Sequence, residues 1–147
     1  MSDREVVYLD TSALAKWYLN EPGSDAFVEF LQSVNIAVIS SLTCTEMRSL
    51  LARRRRMQEL DSELETGILS AFHQDIKDGH LHRYPVDDAR LDDAEMLMGQ
   101  YPQYALRTLD AVHLAVMQYY GVVSLATADR AMIKAARGLG MHVFAFD

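Results

Sequence analysis

The sequence has a single cysteine, Cys44, in 147 residues. That excludes an intramolecular disulfide framework and a cysteine-based zinc site, and it fits a reducing compartment. Three prolines and seven glycines are spread too thinly to build a linker, and neither an internal repeat nor a low-complexity tract is present. One domain over residues 1–147 is therefore expected. No apolar run approaches the ~18 residues of a membrane span. Asp3, Arg4 and Glu5 precede a short apolar stretch that Asp10 stops, which is not the pattern of a signal peptide. The expected location is the cytoplasm. Positive charge is also scarce: 14 Lys and Arg against 21 Asp and Glu leave a formal net charge of −7. That argues against capture of nucleic acid by bulk electrostatics: either the ligand is not nucleic acid, or local basic patches and bound cations reverse the field.

Half of the residues are hydrophobic, enough for a compact domain of this length. Short β-rich runs at 6–9, 36–40, 81–86, 122–126 and 143–146 alternate with helix-period segments. Those segments are 12–20, 24–33, 43–57, 62–76, 88–99, 108–120 and 130–139. Glu21-Pro22-Gly23 breaks the first two helices apart, and Gly121 stands where a helix should end. Strands separated by helices favour parallel pairing, because a parallel crossover needs a dozen or more residues to return. The pattern predicts a three-layer α/β/α domain with a central parallel sheet of about five strands. In such sheets ligands bind beyond the carboxyl ends of the strands.

Four acids occupy those ends. Asp10 follows "VVYL"; Glu46 lies in the first helical turn after the second strand; Asp110 opens the helix "RTLDAVHLAVMQYY"; Asp129 follows "VVSLATAD". Carboxylates gathered on one rim repel unless cations neutralise them. Magnesium or manganese suits an all-oxygen set and assists phosphoryl hydrolysis. Each acid also has a plainer reading. Thr43-Cys44-Thr45-Glu46 has the form of a capping box, Asp110 lies at a favourable dipole position with Thr108 as cap, and Asp10 and Asp129 are capping residues by type. Asp10 departs most from that reading, since Thr11 or Ser12 can take the cap and leave its carboxylate free.

The ordered set "YLDTSALAKWYLNEPGS", "SSLTCTEMRSLLAR", "LRTLDAVHLAVMQ" and "LATADRAMIKAARGLGMHVFAF" resembles the PIN-domain nucleases, and among them the VapC-type ribonuclease toxins of toxin–antitoxin pairs. The resemblance spans nearly the whole chain. It implies a PIN-like fold with Asp10, Glu46, Asp110 and Asp129 as the acidic quartet that binds magnesium or manganese and cleaves RNA. Thr11 or Ser12, together with Thr127, would be the supporting hydroxyls. It further implies a homodimer, a cognate antitoxin as partner, and no membrane. The ending "VFAFD" differs from the Asn or Pro of many relatives and touches no catalytic position.

Several residues carry weaker signals. Arg53 to Arg56 read first as a solvated helix end, and secondly as contacts to RNA or to an acidic partner segment. Arg53, Arg54, Arg107 and Arg130 are the candidate contacts, and Arg107, Arg130, Lys134 and Arg137 would offset repulsion at the rim. His113 reads as structural rather than as a general base. Trp17, Tyr18, Met47, Leu50 and Leu51 read as core or interface, with Trp17 and Tyr18 exposed if an apolar partner groove exists. Other functions remain open at this level. Haloacid-dehalogenase-like phosphatases need a second Asp where Ser12 stands, and receiver domains place their acids and lysine elsewhere. A non-catalytic module of the same fold, or a PIN nuclease of RNA processing without a toxin role, keeps the pattern.

Overall fold

A computed structural model describes residues 3–147. The first strand, β1 (Val6–Leu9), leads through α1 (Thr11–Tyr18) and α2 (Ser24–Gln32) to β2 (Ile36–Ser40). Helices α3 (Ser41–Arg56) and α4 (Ser62–Lys77) then lead to β3 (His82–Tyr84). The chain continues through α5 (Asp88–Gln100) and α6 (Thr108–Tyr119) to β4 (Ser124–Thr127), then through α7 (Arg130–Gly138) to β5 (His142–Ala145). All twelve elements fall on the expected segments, with ends shifted by one or two residues. Frayed turns and strand edges account for shifts of that size.

The five strands form one parallel sheet in the order β3-β2-β1-β4-β5. The chain thus builds outward from β1 on one side, then crosses back to add β4 and β5 on the other. That reversal leaves a crevice at the carboxyl end of β1, between the loops after β2 and β4.

Alternation along β1 assigns its residues to two cores. Val7 and Leu9 join Ala37 and Ile39 in a cluster with Leu14, Phe27, Met47, Leu51 and Phe72 from the first four helices. Tyr8 joins Val38 and Leu125 on the other face, against Leu114 and Met117 of α6 and Met132 of α7. With both faces covered, the central strands are mostly apolar, and the buried polar residues Ser40, Ser124 and Thr127 lie at the strand ends. Gly23 holds φ +89 at the start of α2, a left-handed conformation that suits glycine, and so allows α1 and α2 to break where Pro22 and Gly23 predict.

Candidate active site

Asp10, Glu46, Asp110 and Asp129 line one cavity of about 380 Å³ at the reversal point, together with Arg107 and His113. Each acid arrives from a different element, as the rim argument requires.

Asp10 is 5 % exposed. Its amide donates to the carbonyl of Ala126 on β4 (3.2 Å), so its backbone is still part of the sheet. Its side chain nevertheless caps α1, with Oδ1 accepting from the Ala13 amide at 3.1 Å. The expectation that Thr11 or Ser12 would take the cap is therefore wrong. Both lie inside the first turn, and their hydroxyls turn to the carboxylates instead. Ser12 Oγ donates to Asp10 Oδ1 at 2.7 Å, Thr127 Oγ1 donates to Asp10 Oδ2 at 2.5 Å, and Thr11 Oγ1 donates to Glu46 Oε1 at 3.0 Å. A carboxylate offers about four acceptor directions, so three bonds leave Asp10 roughly one, on Oδ2. Burial pushes the Asp10 carboxyl above its ordinary value, and the Thr127 and Ser12 hydroxyls pull it back only in part.

Glu46 is not a capping residue. Helix α3 starts two residues earlier than expected because the Thr43 hydroxyl accepts from the Ser40 amide at 3.1 Å and closes the first turn. Glu46 therefore sits in the second turn, free to reach the cavity. Its Oε1 accepts from Thr11 and pairs with His113 Nε2. Burial raises the Glu46 carboxyl, but the His113 and Thr11 hydrogen bonds and the nearby Arg107 charge outweigh it and hold it below the usual value.

His113 has the surroundings expected of a structural histidine, but one of its contacts reaches the cavity. It is buried, and its Nδ1 meets the Tyr8 hydroxyl at 2.5 Å, while that hydroxyl also bonds Ser40 Oγ at 2.9 Å. A chain of contacts thus runs from the β2 end through Tyr8 and His113 to Glu46. The available signal was its spacing of three from Asp110, which puts both on adjoining helix faces. Replacing His113 with Ala is expected to reduce cleavage about 10- to 100-fold, the usual cost of losing a partner that orients a ligand. Steady-state rates beside a thermal melt check this, and unchanged rates would remove His113 from the machinery.

At the open side of the cavity, Arg107 Nε donates to Asp110 Oδ2 at 2.8 Å and Nη2 donates to Asp129 Oδ2 at 2.5 Å. Arg107, rather than Thr108, occupies the cap position of α6, which aims its side chain back over the helix start. The hydrogen bonds to Asp110 and Asp129 raise the Arg107 guanidinium further above its ordinary value. Asp129 also caps α7 through Oδ1 and the Met132 amide (3.1 Å). Its partial burial raises it, but the Arg107 contact and the cap bonds prevail and hold it low. Asp10 and Asp129 thus combine the capping role and the cavity position.

The remaining arginines separate. Arg53 lines a groove that opens from the same cavity. Arg54 is tied to Glu21 at 2.8 Å and Glu59 at 3.2 Å, and Arg130 reaches Asp147 at 3.5 Å; neither lines the acidic cavity. Trp17 is 39 % exposed, whereas Tyr18 is half-buried, edge-on to Phe72, with its hydroxyl donating to Asp75. Exposure of Tyr18 is thus not observed. Both rings border a second hollow of about 460 Å³, away from the acids.

The donor set suits a hard divalent cation. Four carboxylates and three hydroxyls supply oxygen only, and Glu46 Oε2 and Asp110 Oδ1 accept no hydrogen bond among the described residues. No three His, Cys, Asp or Glu side chains form a ready-made cage among the described residues.

Fold and cavity together define a doubly wound α/β domain with an acidic site at its reversal point. The PIN domain family model matches residues 7–138, and the chain belongs to that family. It is 37 % identical over 142 residues to Ribonuclease VapC46 of Mycobacterium tuberculosis, covering 95 % of this chain and 96 % of that protein. Among solved structures it is similar to VapC20 of Mycobacterium tuberculosis, described as a sarcin-ricin loop cleaving toxin. That match has a TM-score of 0.70 at 17 % identity and covers 88 % of this chain and 94 % of the other. VapBC2 from Rickettsia felis, solved with a DNA fragment from its promoter, gives a TM-score of 0.68 at 14 % identity over 97 % and 99 %. Among the described residues no helix is long and apolar enough to cross a membrane.

Proposed function

We propose that this single-domain chain is a magnesium- or manganese-dependent endoribonuclease of the cytoplasm, the toxin of a toxin–antitoxin pair. The observation that carries the reading is the convergence of Asp10, Glu46, Asp110 and Asp129, from four elements, on one cavity. Kinship with a protein named as a ribonuclease VapC supports the substrate class and the toxin role.

A bound divalent cation would supply a polarised water and neutralise charge on the scissile phosphate. Asp10 would hold it through the free direction of Oδ2, with Glu46 and Asp110 completing the site or fixing its waters. Asp129 would position the attacking water or a second ion. Thr11, Ser12 and Thr127 keep two of the carboxylates in one rotamer, so little reorganisation is needed when the substrate binds. Arg107 faces the incoming phosphate from the open side. Hydrolysis adds the water oxygen to phosphorus and releases the ribose oxygen, which takes up a proton.

An antitoxin would have the hollow beside Trp17 available to it, and a second copy of the chain completes the expected assembly. The test is incubation of purified protein with cellular RNA and manganese, followed by sequencing of the new ends. Discrete ends that vanish with chelator are expected; RNA left intact with manganese would overturn the reading.

A further inference from the structure

A groove of about 490 Å³ leaves the acidic cavity along α3 and ends at Arg53. It shares Glu46 and Asp129 with that cavity, so the two are continuous. The spacing on α3 explains its wall. Thr43, Met47 and Leu51 recur every four residues and are buried in the core, which turns the neighbouring stripe of Thr45, Glu46, Ser49, Leu50 and Arg53 outward.

The chemistry changes along that stripe. The carboxylate of Glu46 stands at one end. Thr45 flanks it, and Ser49 and the half-buried Leu50 follow, with no further acid on that face of α3 before Arg53. Seven residues of helix separate Glu46 from Arg53, about 10 Å at 1.5 Å per residue. Arg54 and Arg55 are engaged by Glu21, Glu59 and Glu65. The Arg53 side chain makes no ion pair and no hydrogen bond with any described residue, so its five donors are uncommitted. Leu109, 46 % exposed, lies on the opposite lip.

We propose that this groove seats the single-stranded RNA on one side of the scissile phosphate, with Arg53 as the anchor for a phosphate a few nucleotides from the cut. The proposal rests on the reading of the acidic cavity as the site of RNA cleavage. A guanidinium matches a phosphate in geometry and charge. The hydroxyls of Thr45 and Ser49 can bond phosphate oxygens and the 2′-hydroxyl, while Leu50 and Leu109 offer apolar surface to unstacked bases. The groove also answers the charge problem of an acidic protein. Capture of the substrate need not rely on net charge if one uncommitted cation stands beyond the carboxylates, on the path the strand takes.

The test compares wild type with Arg53→Ala and Arg53→Glu, on a randomised single-stranded RNA and on the same pool shortened stepwise from either end. Arg53 is exposed and its side chain unpaired, so Arg53→Ala should melt close to wild type, and Arg53→Glu only slightly lower because it places an anion in the last turn of α3. On long RNA, Arg53→Ala is expected to weaken binding about tenfold, the loss of one charge-assisted contact, and to flatten the salt dependence by roughly 0.7 in the log–log slope. On RNA shortened on the α3 side of the cut, wild type and variant should become equal. Arg53→Glu should be worse than Ala on the long pool only. If wild type cuts RNA and both variants bind and cut the long pool equally well, the groove assignment is overturned while the nuclease reading stands. The groove also falls if Arg53→Ala leaves RNA unaffected but abolishes binding of an acidic peptide. Wild type that cuts no RNA overturns the nuclease reading itself, and the groove with it.

Discussion

Asp10→Asn is expected to lose RNA cleavage by about a thousandfold or more, the consequence of removing several kcal/mol of cation-mediated charge stabilisation. The same variant should be more stable than wild type at neutral pH. Burial raises the Asp10 carboxyl in the folded chain, so between the ordinary carboxylate value and that raised value the folded state binds more protons than the unfolded state. Stability therefore falls as pH rises through this window. Above it, the ionised Asp10 is a standing cost, which Asn does not carry. Asn can also keep the geometry. Its Oδ1 still accepts from Ala13 and Ser12, and its amide donates to Thr127 Oγ1 once that hydroxyl turns toward Ser12 Oγ, 3.3 Å away. Each kcal/mol regained should raise the melting midpoint by roughly 2–4 °C. The gain should shrink as pH drops into the carboxylate range and Asp10 takes up its proton. Manganese should stabilise wild type and leave the variant unmoved, since only a ligand bound by the folded state shifts the midpoint. Melts across pH, with and without manganese, check this. A variant less stable than wild type at neutral pH, or one that still cuts RNA at the wild-type rate, would show that Asp10 is a structural cap only.

The layout of the domain was legible because its signals are local. Apolar runs such as 6–9 and 36–40 cannot be anything but buried strands when helix-period segments flank them, and each helix carries its own cap or breaker. Placing Asp10, Glu46, Asp110 and Asp129 at the carboxyl ends needed only that layout. Less legible was how each acid is held, because that depends in part on contacts across more than a hundred residues. Thr127 meets Asp10 only after β4 docks beside β1. The cap of α1 went to Asp10 rather than to a hydroxyl because its backbone remains extended, with its amide still bonded to β4. Periodicity around Asp10 contains no trace of that pairing. The contacts of His113 were illegible for a related reason. They reach Tyr8, a residue whose phenol looks like core in the sequence, and Glu46, 67 positions away. The arginines could not be ranked from sequence, since a run of four on one helix points in four directions. Only the positions of Glu21, Glu59 and Glu65 show which members are neutralised.

Arg107→Ala should separate catalysis from stability. The residue is exposed, so its two ion pairs contribute only about 0–1 kcal/mol to folding, as surface pairs do. The melting midpoint should move little, and downward, because Asp110 and Asp129 lose their shared counter-charge. Catalysis should suffer much more. Arg107 lines the acidic cavity, and its side chain is more exposed than those of Asp110 and Asp129, which it bridges. Loss of a donor aimed at the charge that develops on a transferring phosphoryl group costs about 100- to 1000-fold. Arg107→Lys keeps the charge but not the fork that spans Asp110 and Asp129, so it should recover only part of the rate. The comparison discriminates between two roles. If Arg107 only neutralises the carboxylates, then saturating manganese should restore the alanine variant to wild-type turnover. If it clamps the phosphate, kcat/KM should remain low at every manganese concentration. Full turnover of Arg107→Ala at saturating manganese would reduce Arg107 to a counter-ion.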